Sequence, residues 1–222
     1  MRKLGSVTFD LDGTLLDTAL DLSVACNRML ADMGLPARSE AEIRRFVGNG
    51  MAVLVERCLT WEAPPASGQI AEGIRFFQRR YAEENGRAAR PYPQVVEGLR
   101  AWQATGLPLA VVTNKPVAFT EPLLQKTGLA DYFQVVVGGD STPFKKPHPE
   151  PIVYACRQLG CAPENNLHIG DSVNDALAAQ AAGSLAYLVP YGYTEGTPVD
   201  NADCDALVSD LLAALRQAQP LI

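Results

Sequence analysis

The chain has 222 residues, 47% of them hydrophobic, and a formal net charge of -6. That length accommodates one large domain or two modest ones with ample buried core. The acidic balance, with no basic tail, excludes nucleic acid as a natural partner, and no apolar run is long enough to span a membrane.

Residues 6–9 (Ser-Val-Thr-Phe) read as a short strand that stops at Asp10. Helical periodicity follows. Thr18 and Asp21 have capping-box spacing, and Leu22, Cys26, Met29 and Met33 share one helical face until Gly34 and Pro36 end it. Ser39 and Glu42 repeat the capping pattern ahead of 43–47, and Gly48-Asn49-Gly50 breaks the helix before 51–59. After Pro64-Pro65, Ile70, Ile74, Phe77 and Tyr81 mark a further amphipathic helix ending near Gly86.

Beyond Pro91 the rhythm changes. A helix over 94–105 alternates with short apolar strands at 109–112, 134–137, 167–169 and 185–189. Such alternation implies an α/β fold, a doubly wound parallel sheet covered by helices on both faces. Pro122 predicts a late start or a kink in the helix after the second strand. The expected organisation is an α/β core of residues 1–16 and 89–222 with an all-helical cap, 17–88, inserted after the first strand. Hinges are expected at Asp17-Thr18 and at 88–91. The five scattered cysteines (Cys26, Cys58, Cys156, Cys161, Cys204) form no CxxC pair, and no signal peptide is expected ahead of the first strand. Both features point to a cytoplasmic protein with its cysteines in the core; a monomer or a homodimer is expected, and the sequence does not choose between them.

Four polar motifs each follow a predicted strand, where open parallel sheets bind ligands. In Asp10-Leu11-Asp12-Gly13-Thr14, one carboxylate is placed to attack phosphorus while the other protonates a leaving oxygen and later activates water. Thr113 and Asn114 offer a hydroxyl, an amide and backbone N–H groups to phosphoryl oxygens. Lys146, which abuts Pro147, supplies a fixed positive charge. Asp171 and Asp175 straddle a helix start, and Asp10 with Asp171 makes the carboxylate pair that commonly holds Mg²⁺; helix capping by Asp171 or Ser172 is the competing structural role. In the helical block, Arg45 and the turn Gly48-Asn49-Gly50 are candidates for the non-phosphate end of a small phosphorylated metabolite. Trp61, Trp102 and His168 read as packing residues.

This ordered set resembles the haloacid dehalogenase superfamily of phosphotransferases. The helical insert is similar to its cap of the first type, and the Gly48–Gly50 turn, Lys146-Pro147-His148-Pro149 and Tyr191-Gly192-Tyr193 are similar to its phosphoglycolate phosphatases. The resemblance implies a Mg²⁺-dependent phosphatase with Asp10 as nucleophile and Asp12 as acid and base, the latter also a metal ligand through its backbone carbonyl. It further implies Thr113 as hydrogen-bond donor to a phosphoryl oxygen, Lys146 as charge stabiliser, Asp171 as direct metal ligand and Asp175 as a support for the metal. Asp12 disfavours the hydrolytic dehalogenases, which usually lack it.

Three alternatives remain at this point. One is a phosphatase for another metabolite, a sugar phosphate or pyrophosphate, and another is a sugar phosphomutase of the same superfamily. The third is a receiver-type signalling module, which places its phosphoacceptor after the third strand rather than the first.

Overall fold

The computed structural model describes residues 3–194, 198–199 and 202–222. β1 (Ser6–Phe9) leads through the two-residue β2 (Leu16–Asp17) into four helices, α1 (Ala19–Asp32), α2 (Glu40–Phe46), α3 (Met51–Leu59) and α4 (Gln69–Glu84). The chain returns through β3 (Arg90–Pro91), which pairs antiparallel with β2, so the ways into and out of the helical block lie side by side. Helices and strands then alternate: α5 (Val95–Gln103), β4 (Leu109–Val112), α6 (Val117–Lys126), β5 (Val135–Val137), α7 (Glu150–Gln158), β6 (Asn166–Gly170), α8 (Val173–Ala181), β7 (Leu185–Leu188), β8 (Ala206–Leu207) and α9 (Leu211–Ala218).

Six of these strands form one parallel sheet in the order β5-β4-β1-β6-β7-β8. This is the doubly wound sheet that the alternation implied. β1, β4 and β6 are buried along their whole length, as strands covered on both faces must be. Val7, Phe9, Val111 and Ile169 pack on one face with Trp102 and Leu211, and Ala110, Val112, Ile152 and Leu188 pack on the other. Trp102 meets Phe9 edge-on at 6.5 Å and donates its indole N–H to Leu211 O at 3.1 Å; deleting such a ring costs about 3–5 kcal/mol.

The helical block has a core of its own, in which Cys26, Met29, Ile43, Val55 and Phe77 are buried; Tyr193, from the segment after β7, joins it. Ser39 and Glu42 form the expected capping box at α2. Thr18 and Asp21 do not. The Thr18 side chain makes no cap bond, and Asp21 accepts from the backbone N–H groups of Gly86, Ala88 and Ala89 at 2.9, 2.7 and 3.1 Å, tying α1 to the return strand. Pro122 does not delay α6, which starts at Val117 and runs through it. The ring forfeits one backbone bond, and the buried Leu123 and Leu124 hold the helix against the sheet. Among the described residues, no helix is long and apolar enough to cross a membrane, and the cysteines are free.

Candidate active site

Phe9 pairs in register with Val111 of β4 and with Ile169 of β6. The residues that follow these three neighbouring strands, Asp10, Thr113 and Asp171, therefore emerge together at the carboxyl edge of the sheet. All three are buried, and they line one cavity between that edge and the helical block.

Lys146 connects the set. Its ammonium donates to Asp10 Oδ1 at 2.7 Å, to Val112 O at 2.7 Å and to Asp175 Oδ1 at 2.6 Å, which uses all three of its protons. Burial alone would push its pKa down, but the carboxylates of Asp10 and Asp175 hold it above the usual range. Burial pushes Asp10 up to about 7 against the pull of Lys146, with Asp175 and Asp12 adding to the rise. Asp171 is driven above the carboxylate range by burial and by the charges of Asp10 and Asp175.

Asp175 behaves differently. Burial favours its neutral form, but the Lys146 charge and the His168 hydrogen bond outweigh that and leave its pKa depressed. Its Oδ2 accepts from Ser172 Oγ at 2.7 Å and Ser172 N at 3.1 Å in a capping box that starts α8. His168, fully inside the sheet, bonds Asp175 Oδ1 at 3.0 Å through Nε2 and Thr8 Oγ1 at 2.9 Å through Nδ1. The histidine read as a packing residue is thus also the rear support of Asp175.

Asp171 is held by Thr14 Oγ1 at 2.9 Å and by the backbone N–H of Tyr193 at 2.7 Å. Two glycines make room for its carboxylate. Gly13 (φ 94°) and Gly192 both approach so closely that a Cβ on either would overlap it. Tyr193 then links the site to the helical block, its hydroxyl accepting from Thr18 N at 2.5 Å and donating to Asp17 Oδ1 at 3.0 Å.

Asp12 stands apart from the Asp10–Asp171–Asp175 group. Its carboxylate accepts from Lys115 Nζ at 2.6 and 2.9 Å and from Thr18 Oγ1 at 2.7 Å. Lys115 is buried, and although burial opposes its charge, Asp12 keeps its pKa above the normal range. Thr18, expected as a helix cap and hinge residue, bonds Asp12 as well, whereas Lys115 is not among the sequence candidates. The signal available was a lysine directly after Thr113-Asn114, where the chain has just left the sheet.

The remaining candidates divide. Gly48 and Gly50 line the cavity. Asn114 lines it too, but its amide is committed: Nδ2 donates to Gly48 O at 2.8 Å and to Lys146 O at 2.9 Å, and Oδ1 accepts from Lys146 N at 2.9 Å. It ties three segments together. Asn49 accepts from Arg57 Nη2 at 2.6 Å, outside the cavity lining. Arg45 is exposed and also outside it. Its neighbour Arg44 is the one that turns inward, lying over the Tyr193 ring at 4.7 Å and 3.5 Å from Asp17 Oδ2.

Asp10, Asp171 and Asp175 each offer one carboxylate oxygen within 4.8 Å of the others. Three buried carboxylates facing one ammonium leave negative charge uncompensated, and an all-oxygen donor set suits a hard divalent cation. Both oxygens of Asp175 and of Asp171 accept hydrogen bonds, whereas Asp10 accepts among the described residues at Oδ1 from Lys146, which leaves Asp10 the freest donor of the three.

Residues 7–189 match the family described as haloacid dehalogenase-like hydrolase. A phosphoglycolate phosphatase of Thiobacillus denitrificans is 47% identical over 211 residues, 94% of this chain and 93% of that one. The phosphoglycolate phosphatase of Escherichia coli K12 is 40% identical over 230 residues, 94% of this chain and 91% of its own. Among solved structures, a predicted phosphoglycolate phosphatase from Haemophilus somnus has a TM-score of 0.92 at 36% identity and covers 99% of this chain and 100% of its own.

Proposed function

The chain belongs to the haloacid dehalogenase-like hydrolases, and from that premise we propose that it hydrolyses 2-phosphoglycolate to glycolate and inorganic phosphate through an aspartyl-phosphate on Asp10. The observation that carries this reading is the Asp10 carboxylate, buried at the end of the central strand, held by Lys146 at 2.7 Å and grouped with Asp171.

An Asp10 oxygen attacks phosphorus as the bond to the glycolate oxygen breaks, and Asp12 gives that oxygen a proton. Asp12 then takes a proton from the water that attacks the acyl phosphate, which frees phosphate and restores Asp10. Lys146 orients Asp10 and balances its charge, and the Thr113 hydroxyl donates to a phosphoryl oxygen. Asp10, Asp171 and the backbone carbonyl of Asp12 hold magnesium, with Asp175 behind them. When bound, the ion supplies positive charge that offsets the repulsion between carboxylate and phosphate dianion.

Residues 17–88 serve as a cap that closes over the sheet edge, with hinges at 17–18 and 88–91, and excludes bulk water from the acyl phosphate. The β2–β3 pairing supports that placement of the hinges. We place the enzyme in the cytoplasm.

Steady-state phosphate release across 2-phosphoglycolate, a sugar phosphate and pyrophosphate, with and without Mg²⁺, tests the reading. The highest kcat/KM is expected for 2-phosphoglycolate, with activity lost in EDTA. A higher value for another ester overturns the substrate, and a stable phosphoprotein with no phosphate released overturns the reaction.

A further inference from the structure

The cavity between sheet and helical block contains two buried polar groups that the phosphoryl chemistry above does not use. One is the Lys115 ammonium, whose carboxylate partner among the described residues is Asp12. The other is the Tyr81 hydroxyl of α4. Its residue is 1% exposed, and although the hydroxyl oxygen lies against Lys115, an ammonium cannot accept, so the Tyr81 O–H finds no acceptor among the described residues. A buried donor without a partner is disfavoured in a native protein unless something else satisfies it. Both side chains line the same cavity, with Lys115 Nζ 5.0 Å from the centroid of the Tyr81 ring.

We propose that Lys115 and Tyr81 together receive the carboxylate of the substrate, and so make the enzyme selective for phosphate esters that carry a carboxylate one carbon from the ester oxygen. The inference rests on the reading of Asp12 as proton donor and of 2-phosphoglycolate as substrate. Reach supports it. Asp12 must approach the leaving oxygen to a hydrogen-bond length of about 2.7 Å, and Lys115 Nζ stands 2.6 and 2.9 Å from the two Asp12 oxygens. The carboxyl carbon of such an ester lies about 2.5 Å beyond that same oxygen, by standard bond lengths. The ammonium is therefore within a further hydrogen bond of the place where the carboxylate arrives.

Charge supports it as well. Among the described residues the other cation lining the cavity is Lys146, and its three protons are already given to Asp10, Val112 and Asp175. The nearby wall from the helical block and α6 is apolar, with Leu22, Met51, Phe77 and Phe119, so a carboxylate entering there meets Lys115 in a weakly screening environment. Because Lys115 follows β4 and Tyr81 belongs to the helical block, a carboxylate held by both joins the two layers. An ester without that group leaves the Tyr81 O–H without an acceptor.

The test compares kcat/KM for 2-phosphoglycolate and ethyl phosphate in the wild type, Lys115→Gln and Tyr81→Phe. The wild type is expected to prefer 2-phosphoglycolate at least about 100-fold. Lys115→Gln is expected to lower that preference at least about 30-fold, and the isosteric Tyr81→Phe, which leaves the packing intact, about 5- to 10-fold. Glycolate should compete with ethyl phosphate in the wild type and compete poorly in both variants. A preference unchanged in both variants, or an equal proportional loss on both esters, overturns the inference: Lys115 then only holds Asp12. If Lys115→Gln abolishes turnover of both esters, Tyr81→Phe decides by the same criterion. A wild type with no preference for 2-phosphoglycolate overturns the substrate reading instead, and this inference with it.

Discussion

The carboxylates of the helical block and those at the sheet edge are perturbed in opposite directions. Hydrogen bonds from Arg80 and then Arg79 hold Asp32 near 2, and the Ser39 side chain and backbone, followed by Arg38, hold Glu42 near 2. Burial pushes Asp10 up to about 7 and carries Asp171 above its ordinary range. The first pair lies near the surface among arginines, where ionised acids are favoured. The second was placed where ionisation is costly, which is the pattern of groups kept for chemistry rather than for stability. Asp175 belongs to the sheet edge by position, yet Lys146 and His168 keep it ionised. Its role is to anchor.

The largest effect expected from breaking this contrast is in turnover. Asp10→Asn removes the nucleophile and should lower kcat by about 10⁴-fold or more at saturating Mg²⁺; near-normal phosphate release would remove Asp10 from the mechanism. Lys146→Met leaves Asp10 and Asp175 buried without their cation. It should cost about 3–5 kcal/mol in urea unfolding and lower kcat about 10²- to 10³-fold.

Stability against pH sharpens the comparison. In magnesium-free buffer, Asp10 binds its proton more tightly folded, at about 7, than unfolded, near 3.8. The folded protein then holds more protons between those values, so this contribution to stability is present below about 4 and is lost as pH rises towards 7. Asp32 and Glu42 act in the reverse sense. Their folded values near 2 lie below the unfolded 3.8 and 4.5, so their contribution is present above the unfolded values and is lost as pH falls towards 2. Thermal melts of the wild type and Asp10→Asn from pH 4 to 8 should therefore diverge in favour of the variant as pH rises. Parallel curves would contradict the assigned burial cost. The smallest effect belongs to the helical block: Ser39→Ala removes the cap of α2 and should cost about 1 kcal/mol with turnover unchanged.

The sheet and the motifs that end its strands were legible in the sequence because each rests on local grammar. An apolar run such as Leu109–Val112 followed by Thr113 reads as a strand with a polar group at its carboxyl end, and parallel register then brings those ends together. What was not legible depends on partners distant along the chain. Thr18 looked like a helix cap but donates to Asp12, and Asp21 looked like its capping partner but fastens the return strand. Arg44 and Arg45 are indistinguishable by residue type, and only the rotation of α2 shows that Arg44 faces Tyr193. Asn114 has the chemistry of a ligand-binding amide, but Gly48 and Lys146 occupy it. Lys115 carries no local signal of its role, because the Asp12 carboxylate it holds lies 103 residues earlier in the chain.

The claim at the centre of this account is that the phosphoryl group passes through Asp10. Acid-quenching the enzyme during turnover of 2-phosphoglycolate with Mg²⁺, followed by peptide mass mapping, should find a transient phosphate on the peptide containing Asp10 and none in Asp10→Asn. Phosphate release with that peptide never modified, or with the label on another residue, would contradict it.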